Sequence, residues 1–181
     1  MAMVRRSVRS QSSIDMSTPS RRSVGYFRNF VFGVEDSLVS TVGLLAGVAS
    51  AGVESDTILL TGVVLILVEA FSMSAGSYLS ESSAEEYADR GKITSESFFD
   101  ASIMFISYFL SGFIPLAPYI IWPVNTAMLY SILFSLVSLG ILGAVGSSIT
   151  HAGLVRSIVR MLVIGGVAIA VGVGAGVVVG V

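Results

Sequence analysis

Five long apolar segments, separated by short polar stretches, dominate the pattern of hydrophobic and polar positions. They lie at about residues 30–51, 57–79, 99–120, 125–147 and 157–180. Each has roughly the 20 residues that a helix rising about 1.5 Å per residue needs to cross about 30 Å of hydrocarbon. Helices are the natural spanning form because they pair their own backbone groups where no water is present. The pattern therefore predicts an all-α, polytopic membrane protein with five transmembrane helices, forming one domain over residues 30–181.

Composition agrees with a membrane protein and narrows the chemistry. The 181 residues are 54% hydrophobic and 12% charged, with a mean hydropathy of +0.87, whereas about 25% of a soluble domain is charged. The chain has no cysteine and one histidine, His151, which excludes disulfides, thiolate metal sites and a multi-histidine site within one chain. Since no nucleophile–base set, P-loop or nucleotide fingerprint is present, an enzyme is the least favoured class. No cofactor and no nucleic-acid partner are expected.

The first 29 residues are polar and rich in arginine and serine, beginning MAMVRRSVRSQSSIDMSTPSRRS. They contain no apolar core typical of a secretory signal. We expect residues 1–29 to form a disordered basic cytoplasmic tail. An organelle transit peptide is the alternative.

The positions of lysine and arginine predict the orientation. All ten basic residues lie in the N-terminal tail, in the loop after the second segment, or just before and within the start of the fifth. The opposite loops, around GVESD and APYIIWPVN, have none. Because basic residues concentrate on the cytoplasmic side, the N-terminus is predicted in the cytoplasm and the C-terminus outside.

Three carboxylates lie inside predicted spans, although an ionised acid there costs at least about 2.5–3.5 kcal/mol. They are Glu35, Asp36 and Glu69. Glu35 and Asp36 are about 100° apart around a helix, so they cannot share a face. A structural role is favoured for Glu35, which can reach the headgroups or Arg28; for Glu69 the alternative is a buried, protonated acid bonded to a hydroxyl. Asp36 and Met73 each lie about six residues inside the cytoplasmic ends of antiparallel spans, so we predict them at one level.

The second span carries oxygen and sulfur groups at every fourth residue. Positions four residues apart differ by only about 40° around a helix, so these groups lie near one face. They are Glu69, Met73, Ser77, Glu81, Glu85 and Asp89. Carboxylates suit hard divalent cations, and a thioether adds affinity for softer ones. We therefore predict metal ligands at Asp36, Met73, Glu69, Glu81 and Glu85, in a site suited to Fe²⁺ or Mn²⁺. For any one of the acids near the end of this helix, a solvated surface position is the alternative.

The fifth segment ends in a repeat of small residues at Gly172, Gly176 and Gly180. This spacing lets a second helix approach closely. Packing within one chain and a contact between two chains are both compatible with it.

Two motifs resemble the first hairpin of the vacuolar iron transporter family. They are RNFVFGVEDSLVSTVGLLAGVASAG, which contains Asp36, and LLTGVVLILVEAFSMSAGSYLSESSAEEY, which contains Met73 in MSAGSYL. SGFIPLAPYI and VRMLVIGG further along are also similar to the family, so the resemblance covers about residues 25–180. It implies a five-helix homodimer that moves ferrous iron and related divalent metals out of the cytosol, in exchange for protons. It also implies that Asp36 and Met73 line the ion pathway between protomers.

The chain departs from the family pattern in two places. Better-known members carry a large cytoplasmic metal-binding domain between spans two and three, and here about 20 residues fill that gap. The family's acid about two turns before the span-two methionine is replaced by Leu65, while Glu69 lies one turn before Met73. Metal choice and proton coupling are the properties that these differences affect.

Together these features predict a transporter that exports Fe²⁺ or Mn²⁺ from the cytoplasm by proton antiport. Asp36 is the main ligand, and Asp36 and Glu69 are the candidates for proton coupling. A plasma membrane is favoured, with a vacuolar or other organelle membrane as the alternative. The rival functions are a proton or cation conductor without transition-metal selectivity, and a membrane assembly protein that transports nothing.

Overall fold

A computed structural model describes residues 21–89, 95–150 and 152–180 of the chain. The helices are α1 Arg21–Ser50, α2 Ser55–Asp89, α3 Ser95–Leu116, α4 Pro118–Ile121, α5 Val124–Thr150 and α6 Leu154–Val179. No β-strand occurs in these described ranges. The predicted all-α class is therefore confirmed.

Within the described residues, five helical stretches are long and apolar enough to cross a membrane. They are Ser23–Ser50, Ser55–Ala84, Ser97–Ile121, Val124–Thr150 and Leu154–Val179, and each overlaps one predicted segment. The helix α1 begins at Arg21, nine residues before the predicted start of the first span at residue 30. The predicted tail therefore overlaps this helix at residues 21–29, while residues 1–20 lie outside the described part of the chain.

Glycine and proline mark the breaks between helices. Between α1 and α2 the chain turns at Gly52, whose φ of +76° is a conformation that favours glycine. Pro115 lies in the last turn of α3, and Pro118 starts the short α4 after a break at Ala117. Proline has no backbone N–H and therefore interrupts helical hydrogen bonding. Ser131 of α5 donates to the Pro115 carbonyl at 2.7 Å and ties this break to the bundle.

The first helix lies at the centre of the bundle. It packs against α2, α3, α5 and α6, while α2 also packs against α3 and α5 against α6. One apolar cluster surrounds Leu45 and Tyr119 near the α1–α2 turn, and a second joins Leu38 of α1 to Leu139 and Met161. A charged residue on α1 is therefore surrounded by other helices on most sides.

The small-residue repeat of α6 packs within the same chain. A Cβ added at Gly172 would meet the Gly43 carbonyl of α1, and one added at Gly176 would meet the Gly47 carbonyl. The Cα of Ala51 lies 2.7 Å from the position of a Cβ at Gly180. Of the two interpretations of this repeat, the described contacts support close packing of α6 on α1 inside one protomer.

Candidate site between helices α1, α2 and α3

Side chains spaced one turn apart on three helices form the candidate site. The relevant positions are Arg28, Phe32, Asp36 and Ser40 on α1, Glu69, Met73, Ser77 and Glu81 on α2, and Met104 and Tyr108 on α3. A step of four residues keeps a helix position within about 40° of the previous one. Each helix therefore presents its set as a stripe along one face.

Asp36 of α1 and Glu69 of α2 are neighbours at the inner part of this site. Both side chains are partly buried, and Glu69 lies near enough for its charge to act on Asp36. Tyr108 of α3 lies close enough to interact electrostatically with both. Two acids so placed within the apolar spans repel one another when ionised, and a cation or a proton between them relieves that repulsion.

Tyr108 is the residue here that the sequence patterns missed. Its side chain is fully buried, and its hydroxyl shares a 2.7 Å hydrogen bond with the hydroxyl of Ser40. The hydroxyl of Ser37, also on α1, donates a second hydrogen bond to the backbone carbonyl of Tyr108 at 2.7 Å. An isolated tyrosine in an apolar span carries no motif, so only the packing of α3 against α1 reveals its position beside the two acids.

An open groove of about 680 Å³ lies between α1, α2 and α3. Two of the predicted ligands, Met73 and Glu81, line it together with Ser77. The groove also contains residues that were not predicted: Arg28, Asn29, Phe32, Ser72, Gly76, Ser80 and Met104. Glu69 comes one turn before Met73 in α2, and Asp36 comes one turn after Phe32 in α1. Because consecutive spans run in opposite directions, both steps lead the same way, so the groove leads towards the two acids.

Two polar contacts lie at the end of this groove that is further from Asp36 and Glu69. Arg28 and Glu81 form an ion pair with an N–O distance of 3.5 Å, and their side chains are 67% and 38% exposed. Beside it, Asn29 donates its Nδ2 to Oδ1 of Asp100 at 3.0 Å, and both residues are buried. The first contact is exposed and weak, whereas the second is a buried hydrogen bond to a carboxylate and is much harder to break.

Glu35 faces a different part of the bundle from Asp36. The positive charge of Arg160 on α6 acts on Glu35, as does the negative charge of its neighbour Asp36, whereas Asp36 is influenced by Glu69 on α2. Arg28, the partner considered for Glu35 from the sequence, pairs with Glu81 instead.

Among the predicted ligands with described side chains, the three acids Asp36, Glu69 and Glu81 do not form one cluster within a single protomer. Asp36 and Glu69 interact, and Met73 and Glu81 share the groove. Glu85 lies on α2, but its side chain is outside the described part of the structure. Among the described residues, no three Asp, Glu, His or Cys side chains converge as they would around a bound metal ion.

Comparison with protein families gives an independent test of the resemblance. The model of the VIT family matches residues 27–99 and 88–177. The two matched segments overlap at residues 88–99, around the connection between α2 and α3. No individual curated protein matches the chain. The match covers all five spanning helices, and the chain belongs to the VIT family, a family of integral membrane transporters of metal ions.

Proposed function

We propose that this protein exports Fe²⁺ or Mn²⁺ from the cytoplasm in exchange for protons, as a homodimer. The observation that carries the proposal is the pair of neighbouring carboxylates Asp36 and Glu69. They lie within the spans, at the end of the groove that contains Met73. Ionisable groups inside membrane spans are costly, and they commonly mark ion pathways.

The chemistry of the side chains supports a transition metal as cargo. Asp36 and Glu69 supply carboxylate oxygens, which bind divalent cations, and the Met73 thioether favours softer ions over Mg²⁺ or Ca²⁺. A metal ion that binds the two acids must displace any protons they carry. Asp36 is therefore the proposed main ligand, and Glu69 is a proton acceptor or a second ligand.

A second copy of the chain would supply the ligands that one protomer lacks. One chain brings together two acids, whereas a protein site for Fe²⁺ or Mn²⁺ generally uses more. Asp36, Glu69 and Met73 are each only partly buried, which leaves them accessible to a partner packed against α1 and α2. A homodimer with its ion path between protomers follows from this arrangement and from the family resemblance.

The charge distribution supports the proposed direction of transport. Basic residues are confined to the segments predicted to face the cytoplasm, and the groove lies at that end of α1 and α2. Metal would enter from the cytoplasm, pass Asp36 and Glu69, and leave on the opposite side, where protons replace it. We place this activity in a plasma membrane, with a vacuolar or other organelle membrane as the alternative.

Flux into liposomes containing the purified protein tests the proposal. Fe²⁺ or Mn²⁺ movement is followed together with an internal pH dye under an imposed pH gradient. We expect coupled metal and proton movement, its loss in Asp36→Asn, and its retention in Asp56→Asn, which makes the same chemical change at an exposed position of α2. Metal export that survives in Asp36→Asn contradicts the assignment of the main ligand, and a folded protein that moves neither ion is better explained as an assembly protein.

A proton or cation conductor without transition-metal selectivity is the second candidate. It is favoured by the absence of a three-acid cluster among the described residues. The variant Met73→Leu separates the two functions, because leucine keeps the apolar volume and removes the sulfur. Transport of Fe²⁺ or Mn²⁺ that loses its preference over Ca²⁺ supports the metal transporter, and an unchanged preference supports the conductor.

A further inference from the structure

The groove between α1, α2 and α3 contains an arginine that occupies the position a captured cation would need. Arg28 spans from α1 to the Glu81 carboxylate on α2 at 3.5 Å, at the cytoplasmic part of a space of about 680 Å³. Glu81, the one acid among the described lining residues, is therefore neutralised by a side chain that can swing away, since Arg28 is 67% exposed.

The rest of the groove supplies neutral oxygen and sulfur groups. Ser77, Ser80 and Met73 lie on the same side of it as Glu81. From α1, Asn29 is 4% exposed and donates its Nδ2 to Asp100. Because a carboxylate oxygen accepts hydrogen bonds, the NH₂ branch of the amide must face Asp100, and the amide oxygen is left on the other branch. Such oxygens bind a divalent cation or its water molecules.

We propose that this groove is a capture site for a hydrated divalent metal ion, with Arg28 as an internal competitor that leaves Glu81 when the ion arrives. The inference rests on the proposed function for the fate of the ion, which would pass from Glu81 along Met73 to Asp36 and Glu69. The capture step exchanges one cationic partner of Glu81 for another and involves no covalent change. It gives this chain a receiving site for metal on the membrane domain itself.

Electrostatics explains why an arginine suits this role. An exposed Arg–Glu pair is weak, because water screens it and two long side chains must be held in place. A divalent ion carries twice the charge of a guanidinium and can also bind the neutral oxygens nearby. Arginine remains charged at all physiological pH values, so the competition does not depend on its protonation.

Metal binding by the purified full-length protein tests the proposal directly. The titration uses Mn²⁺, whose free form is measured by electron paramagnetic resonance, in an Asp36→Asn/Glu69→Gln background that removes the inner site. We expect Arg28→Gln to tighten Mn²⁺ binding by about 2- to 5-fold, which corresponds to the strength of an exposed ion pair. Glu81→Gln should weaken binding by at least about tenfold, because loss of even an indirect ligand contact has effects of this size.

Two controls show whether Arg28 acts through Glu81. Arg156→Gln removes an exposed arginine at the start of α6 and reports the general effect of lowering positive charge. In a Glu81→Gln background, Arg28→Gln should no longer tighten binding. The proposal is overturned if Arg28→Gln and Arg156→Gln change binding equally, or if the effect of Arg28→Gln persists without Glu81.

Transport measurements keep this inference separate from the proposed function. In the otherwise wild-type protein, Arg28→Gln should lower KM for Mn²⁺ flux. Flux with an unaltered KM would overturn the capture site while the transport function stands. Absence of flux, with Mn²⁺ binding that still depends on Arg28 and Glu81, would refute the transport function alone. Thermal unfolding of each variant confirms that it is folded.

Discussion

The backbones of α1 and α6 approach each other closely at glycine residues, and this packing makes a sharp prediction for one substitution. Gly172→Ala places a methyl group against the Gly43 carbonyl. Gly174→Ala, two residues further along α6, places the same group in open space, with no atom within 4 Å. The two variants therefore share the change in helix propensity and differ in packing.

The size of the effect follows from the geometry. A neighbouring contact between the same helices sets the scale: a Cβ at Gly47 would lie 2.5 Å from the Gly172 carbonyl oxygen, whereas ordinary contacts begin at about 3.4 Å. A Cβ at Gly172 lies closer still to the Gly43 carbonyl oxygen. The helices must therefore separate by at least about 1 Å to admit the methyl group, and such overpacking typically costs about 1–3 kcal/mol. Replacing glycine by alanine gains up to about 1 kcal/mol of helix propensity in both variants, so we expect Gly172→Ala to be less stable than Gly174→Ala by about 1–3 kcal/mol.

Thermal unfolding in detergent or lipid measures the difference. For a chain of this length, about 1 kcal/mol corresponds to about 2–4 °C in Tm, so Gly172→Ala should melt about 2–12 °C below Gly174→Ala. Equal melting temperatures would refute the close packing of α6 on α1. A loss of dimer in Gly174→Ala, with Gly172→Ala unaffected, would show instead that α6 uses its other face between protomers.

Further predictions concern buried hydrogen bonds and orientation. Asn29→Leu, which removes the 3.0 Å bond to a buried carboxylate, should lower the free energy of unfolding by about 1–3 kcal/mol. Ser131→Ala should cost about 0.5–1.5 kcal/mol, because it removes the donor to the Pro115 carbonyl. Denaturation against wild type checks both, and unchanged stability would contradict the assigned contacts. Since the chain has no cysteine, single cysteines at the exposed positions Ser83 and Asn125 can be labelled specifically; an impermeant maleimide added to intact cells should modify only the cysteine at position 125.

Much of the site chemistry was visible in the sequence, but its assembly was not. Glu69, Met73 and Glu81 lie in α2 at multiples of four residues, so local periodicity alone placed them on one stripe of the helix. The presence of Arg28 opposite Glu81, and of Tyr108 beside Asp36 and Glu69, depends on how three helices pack. No local pattern in α1 or α3 encodes those distances.

The sequence by itself determined the class of protein, the five spans and the family. These properties depend on hydropathy, helix length and short motifs, each of which acts over neighbouring residues. The tertiary structure decided that α1 lies at the centre of the bundle, that Gly172 and Gly176 pack on α1, and that Asp36 interacts with Glu69 while Glu35 interacts with Arg160. The physical reason is that helices in a membrane choose their neighbours through close packing and a few polar contacts between residues far apart in the chain.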